Sequence, residues 1–480
     1  MAKIRTPWLF SWNDIDGRSD LDRFYLVRDN LPDEKLVEEL EKMRGKGRDD
    51  FPVRSMWNAV LSGVVFQHES IESLIRELSR NPALLEACGF NPLPVQKGAE
   101  AKLVRNEETG RMEVVWSEPE PAYYMVPESW NFSRFLKNVI KLEESKGLIT
   151  GMVQELREQV MEELPDFGSH LGYDGKAIDS YSTGSKDKKT GETSDPDANW
   201  GKHETKGVDS KTGKLWKKVK SWFGYTFHLI ADTKYEIPVS FHVTRASVSE
   251  QTPELAERCE DFVADRGLDS GETKSLLLDD YQIRPVIDIR EMWREEKSES
   301  DHDPTKPITR SFYPDRVDTV VYTEKGTIHC IYPATGEERD MAFYGFEADR
   351  SALKYRCPAA AYGFECQGRE ECTSFGHINA GTYGRIVRVN INKDRRIFTP
   401  TPYGSPSWER AYNRRSSLER INNRIDNSFG FEKHFIRGKS KMQTRMGLAI
   451  AVMMAMALGH IRAGRMDQIR SLVRPIAAAG

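Results

Sequence analysis

Four side chains between Ser405 and Gly430 are of types that handle phosphate and cation chemistry: Tyr412, Arg415, Glu419 and Asp426. Their offsets of three, four and seven place all four on one stripe of a helix. Ser405 is an N-cap type, Pro406 suits the first helical position, and Gly430 is a stop. Glu419 is flanked by Arg415 and Arg420, a poor choice for a core but a good one beside a polyanion. Arginine forks grip phosphates and a carboxylate grips a cation. The same spacing also describes a solvated helix laced with ion pairs. Two further acids stand in suggestive contexts. Asp174 lies in SHLGYDGKAIDSYS, which reads as an extended segment, with Asp179 as its rival there. Asp265 follows the apolar Phe262-Val263-Ala264 and precedes Gly267 and a helix. A carboxylate at a strand's C-terminal end is where open α/β sheets place chemistry, although an aspartate there also caps turns. Three acids so distributed can hold two Mg²⁺ (or Mn²⁺) ions roughly 4 Å apart for phosphodiester chemistry. Oxygen ligands favour those ions over zinc.

The elements that must position these acids belong to a chain of 480 residues, with room for two to four domains and a large core. A composition of 38% hydrophobic and 30% charged residues is that of a soluble protein. The net charge of −4 leaves nucleic-acid contact to local basic patches. The start, MAKIRTPWLFSWNDIDG, has no long apolar stretch of the secretory kind. The longest apolar run, Gly447 to Gly459, is too short to span a bilayer and reads as a buried helix. Six cysteines do not suggest a disulfide scaffold, so a reducing cytoplasm and no membrane are expected. There is no internal repeat.

In chain order, 1–50 reads as a polar lead-in with a helix from Leu31 to Arg44. Residues 51–90 read as short packed helices with Ser70 as an N-cap, and 91–128 as Pro-rich and irregular. A further amphipathic helix opens at Trp130. Exposed Arg and Lys on short helix pairs are compatible with DNA contact, yet small bundles usually have no such role. Tyr225 to Thr244 reads as two strands joined near Asp232–Glu236. The segment 183–222 reads as a long loop whose basic end, Lys211, Lys214, Lys217, Lys218 and Lys220, interleaves with Trp216 and Trp222. That interleaving suits a nucleic-acid groove, or simply a solvated face. A helix is expected at Thr252–Cys259 and a strand at RPVIDIR. Residues 291–405 read as a β-rich insertion holding Cys330, Cys357, Cys366 and Cys372, with His329 and His377 nearby. Four thiolates could make a structural Zn²⁺ site. Irregular spacing without a C-x-x-C pair fits buried free thiols equally. Lys433, Arg437, Lys439 and neighbouring cations then form a strip suited to a phosphate backbone, ahead of an apolar helix that should pack on the sheet.

The ordered set of phrases resembles the DDE transposases of bacterial insertion sequences. YDGKAID resembles their first-acid motif, FGYTFHLIADTKYEIPVSFHVTRASVSE their glycine-tyrosine hairpin, and VADRGLDS their second-acid motif. LERINNRIDNSFGFEKHFIRGKSKMQTRMGLAIAVMMAMALG resembles their third-acid helix and C-terminal end, and 51–137 their helical N-terminal domain. The resemblance covers about three-quarters of the chain. It implies an α/β fold: a ribonuclease-H-like catalytic core, a mixed sheet flanked by helices, with an N-terminal helical domain and a β-rich insertion. The implied division is 1–165 (helical, DNA-binding), 166–290 (core, first part), 291–405 (insertion) and 406–480 (third-acid helix and C-terminal helices). It further implies Asp174, Asp265 and Glu419 as a two-metal triad, with Tyr412 and Arg415 beside the phosphate. Arg420, Arg424, Lys433, Arg437, Lys439, Lys217 and Lys218 are the expected further DNA contacts. Tyr412, Arg415 and Glu419 match the Tyr-Arg-Glu-Lys signature of one branch. Its lysine position is Asp426 here, with Arg424 and Lys433 as candidate substitutes. In relatives that cut through a hairpin an aromatic supports a flipped base; Trp293 could do so, or be an ordinary core tryptophan. The expected partners are double-stranded DNA at element ends and target, and a second copy of the chain on DNA. The alternatives are a catalytically inactive DNA-binding derivative and a metal-dependent nuclease without strand transfer.

Overall fold

The computed structural model describes residues 20–46, 50–96, 101–105, 110, 112–117, 122–184, 193–208, 215–247, 258–293, 308–312, 320–331, 336–374 and 383–472. Helices α1 (Asp20–Asn30), α2 (Glu34–Arg44), α3 (Val53–Val65), α4 (Ile71–Leu78) and α5 (Pro82–Cys88) come first. Their starts follow from local chemistry. The Ser70 side chain accepts from the Ser73 N–H, and Asn81 accepts from the Leu84 N–H with Pro82 at the first position of α5. Where an irregular stretch was expected, β1 (Ala101–Arg105) and β2 (Met112–Trp116) form an antiparallel hairpin. Helices α6 (Ser129–Lys146) and α7 (Leu148–Glu163) come after it.

The next strands are β3 (His170–Asp179), β4 (Asn199–Val208), β5 (Leu215–Asp232), β6 (Ile237–Arg245), β7 (Asp261–Ala264) and, after the short helix α8 (Gly271–Ser275), β8 (Arg284–Ile287). The C-terminal half of β5 pairs antiparallel with both β6 and β3, while β3, β7 and β8 run parallel, giving the order β6–β5–β3–β7–β8. This mixed sheet with flanking helices is compatible with a ribonuclease-H-like transposase core. The N-terminal half of β5 pairs with β4 from Asn199↔Gly224 to Val208↔Leu215. For residues 199–208 and 215–222 the long-loop expectation is therefore corrected: a two-stranded ribbon leaves the sheet there. Its period of two was hidden because lysines and glycines occupy positions where a half-buried strand would carry apolar residues. The helix expected at Thr252–Cys259 lies almost wholly outside the described residues.

Between β8 and the last helices stand β9 (Thr309–Ser311), β10 (Val320–Thr323), β11 (Ile328–Ile331), β12 (Glu338–Asp340), β13 (Ala342–Glu347), β14 (Ala352–Arg356), α9 (Pro358–Tyr362), α10 (Arg369–Ser374) and β15 (Ile386–Asn390). They make a four-stranded and a three-stranded antiparallel sheet around a separate apolar core that includes Tyr322, Leu353 and Phe398. Trp293 is 5% exposed in that core, edge-on to Tyr322 with Arg310 over its ring, so it packs as a core tryptophan. A buried ionic chain ties this region to the main sheet. Lys274 on α8 donates to Asp269, Arg396 donates to Asp269 and Glu324, and Glu324 accepts from the Met292 and Trp293 N–H groups. Asp269 is 0% and Lys274 2% exposed. Asp269→Ala would strand two buried cations, so an unfolding free energy lower by about 3 kcal/mol is expected in urea titration. A change below about 0.5 kcal/mol would contradict this account.

The chain closes with α11 (Pro406–Tyr412), a tight turn at Asn413–Arg415, α12 (Ser416–Asn423), a wide π-type turn at Arg424–Ser428 and α13 (Lys439–Arg462). The single helix expected over 405–430 is thus one rod with two irregular turns. Helix α13 is long and apolar enough to cross a membrane, but 94% of its apolar window is buried inside the fold. It lies between β6 and the helices α1, α3, α6 and α7. Gly447 permits this approach: a Cβ there would stand 2.6 Å from Ile149 and 2.9 Å from Phe241. One apolar cluster runs from Leu21 through the sheet to Leu472, so the core has no break at residue 165.

Candidate active site

Strand register brings the first two acids together. Pairing of β3 with β7 runs His170↔Asp261, Leu171↔Phe262 and Gly172↔Val263. Two residues further on, Asp174 and Asp265 occupy the same level of neighbouring parallel strands, whose spacing is about 4.8 Å. Pairing of β7 with β8 puts Ala264 opposite Ile287, so Asp288 comes at that level too. The sheet thus presents Asp174, Asp265 and Asp288 along one edge. Asp265 also caps a turn, its Oδ1 accepting from the Gly267 N–H at 2.7 Å.

Helix α12 delivers the third acid by lying along the even-numbered face of β3. At Gly172 a Cβ would stand 2.9 Å from Leu418, so only glycine admits the helix this closely. One helical turn on, the Asn422 amide donates to Asp174 Oδ2 at 2.6 Å. One turn further, Asp426 forms an ion pair with Lys176. Positions 172, 174 and 176 of the strand therefore meet 418, 422 and 426 of the helix. Glu419, beside this seam, is tied in through Arg415, which donates to Glu419 Oε1 at 2.9 Å and to Asp174 Oδ1 at 3.4 Å.

Charge accumulates at this point. Burial pushes the Asp174 carboxyl above its ordinary value, Arg415 and Lys176 pull it back, and Asp265 and Glu419 raise it further. Burial disfavours the Arg415 guanidinium's charge, but Asp174, Tyr412, Asp265 and Glu419 outweigh it and hold the group above its usual value. Tyr412 stacks on Trp408 at 4.5 Å and is pushed up by burial and then by Asp288. A raised Asp174 value has a defined sign: its cost to folding is absent below the unfolded-state value and complete above the folded-state value. Asp174→Asn is expected to raise the thermal midpoint in metal-free buffer at pH 7. The gain should vanish as pH falls below the carboxylate range, and a gain unchanged by pH would refute the assignment.

A family profile for the transposase DDE domain matches residues 174–455, beginning at Asp174 and spanning Asp265 and Glu419. The chain belongs to the DDE transposase family. Comparison with curated proteins gives no match. Transposases of this family use divalent ions, and the donor chemistry here suits one. All three acids are hard oxygen donors, and Asn422 Oδ1 is a buried acceptor lacking a hydrogen-bond partner beside Asp174. As the side chains stand, no three His, Cys, Asp or Glu groups among the described residues are placed to share an ion, and Arg415 lies between Asp174 and Glu419.

The other expected site residues of the transposase divide by their partners. Arg420 and Arg424 both pair with Glu236, a residue 4% exposed, and so are committed to holding α12 on the β5–β6 turn. Arg437 donates to the Tyr181 carbonyl and lies over that ring, and the Lys439 N–H bonds Asp197. Lys433 and Lys218 are exposed, Lys218 on the ribbon, where Lys217 pairs with Lys206 in the strand register. Asp179 sits at the far end of β3 opposite Gly224 and acts on His434 instead of on the acids. Cys330 is pushed up by burial, then by Cys357 and Cys372, with Cys366 also in range, so the thiols neighbour one another without sharing a coordination sphere. His377 lies outside the described residues. Sequence reasoning missed Asn422, Lys176 and Asp288. The period of four from Leu418 to Asn422 to Asp426 could have found Asn422, but only with the strand's even face as its counterpart.

Proposed function

We propose that the chain binds the terminal inverted repeats of its element, cuts a DNA strand at each end and joins the released 3′-hydroxyl to target DNA. In this reading Asp174, Asp265 and Glu419 hold two Mg²⁺ (or Mn²⁺) ions. The observation that supports it is that Asp174 and Asp265 stand at one level of neighbouring strands while Arg415 bonds both Asp174 and Glu419. Bound ions would activate the attacking oxygen and stabilise the leaving one. The protein's own part is positioning. Asp174, fixed by Asn422, and Asp265, fixed by Gly267, present carboxyl oxygens at the sheet edge. Arg415 can exchange a carboxylate for the non-bridging oxygens of the scissile phosphate, which its planar fork matches. Tyr412, held by stacking, can donate to the same group.

The helical region up to residue 165 and the basic residues Lys433, Arg437, Lys439, Lys217 and Lys218 would track the duplex, with two copies of the chain pairing two ends in the cytoplasm. The test is incubation of the purified chain with a duplex spanning an element boundary, with Mg²⁺ or with EDTA. Nicking at the boundary only with Mg²⁺ is expected. Binding without any nick would favour a non-catalytic derivative, and nicks without joined product a nuclease.

A further inference from the structure

We propose that Lys176 positions the substrate phosphate in this site, its ammonium kept in place by Asp426 until DNA arrives. The inference rests on the transposase reading above. Lys176 lies two residues beyond Asp174 on β3 and so projects from the same face, toward α12. Its Nζ is shut off from solvent and ion-paired with Asp426, the side chains being 19% and 28% exposed. It is close enough for its charge to act on Asp174.

The charge balance gives this lysine a task. A DNA phosphate placed at Asp174, Asp265 and Glu419 needs cationic side chains beside any bound metal ions, and Arg415 is already shared between two carboxylates. The nearby guanidinium groups of Arg420 and Arg424 are held by Glu236, and Arg266 is paired with Asp288. An ammonium on a flexible stem can trade one oxygen anion for another, Asp426 for a phosphate, more readily than a planar fork bound at two points. Asp426 stands where the signature of one branch carries lysine, and at this seam the ammonium comes from the strand instead. This replaces Arg424 and Lys433 as substitutes for the missing lysine: the first is committed to Glu236, and the second is exposed beyond the wide turn.

The competing explanation is a staple, an ion pair that only fastens β3 to α12. Variants Lys176→Met, Lys176→Arg and Asp426→Asn separate the two in the full-length protein. Strand cleavage would be measured on the boundary duplex with Mg²⁺, and binding of a random duplex across a salt series in EDTA. Phosphate positioning predicts that Lys176→Met lowers kcat on the order of 10²-fold and flattens the log–log salt dependence of binding by about 0.9. Lys176→Arg should keep most activity, and Asp426→Asn, which frees the ammonium, should cut at least as fast as the parent. A staple predicts matching losses for Lys176→Met and Asp426→Asn with no change in salt slope, and that pattern would overturn the proposal. If Lys176→Met folds poorly, Lys176→Gln, which keeps a polar head for Asp426, takes its place under the same expectations. Failure of the transposase reading itself would show differently, as absence of any Mg²⁺-dependent nick by the parent protein on the boundary duplex.

Discussion

Asp265→Asn should bind duplex DNA like the parent and yet lose strand cleavage by at least ~10³-fold. Asparagine keeps the oxygen that accepts from the Gly267 N–H, so the turn after β7 survives. What disappears is one unit of negative charge at the level of Asp174, the charge a divalent ion would need. Alanine removes the turn contact as well, which costs about 1 kcal/mol of local stability. Comparing the two substitutions therefore separates the structural part of Asp265 from the chemical one. Cleavage assays with equal DNA occupancy provide the measurement. A variant that still nicks the boundary duplex would remove Asp265 from the chemistry, whatever its place on the sheet edge.

The second large effect is structural. Glu236→Ala should lower the free energy of unfolding by about 3 kcal/mol or more and take cleavage down with it. Glu236 is 4% exposed and receives Arg420, Arg424 and Arg470, so its loss leaves three guanidinium groups facing one another. Its backbone has φ of 60°, a conformation that costs an ordinary residue about 1 kcal/mol and persists here because these contacts hold it. Glu236→Gly should consequently be less damaging than Glu236→Ala, since glycine relieves the backbone while losing the same carboxylate. Thermal unfolding of the two variants decides this, and equal midpoints would show that the φ value contributes nothing. Because two of the three arginines sit on α12 and the wide turn after it, the variant should also loosen the placement of Glu419.

Much of the scaffold was legible because it rests on local rules. The Ser70 cap, the strand of YDGKAID and the turn at Asp232–Glu236 are short-range chemistry. Asp265 was visible as an acid at the end of an apolar run. The ribbon of β4 and β5 was not, since its alternation is carried by lysine, glycine and tryptophan, a composition shared with loops. The basic residues near Glu419 show the firmest limit. A sequence displays the charge of Arg420 and Arg424 but not that Glu236, remote in the chain, neutralises both. Asn422 and Lys176 escaped for the same reason: each matters through a neighbour supplied by another element.

Helix α13 sits in the middle of the apolar cluster yet is made after nearly all of its neighbours. During synthesis, β6 and the helices α1, α3, α6 and α7 must wait on the ribosome with their apolar faces uncovered until that helix emerges. A message cut short before residue 439 should then yield aggregation-prone chains for chaperones or proteases, and not stable fragments. The burial of one late helix thereby makes closure of the core wait for the last part of the fold to be made.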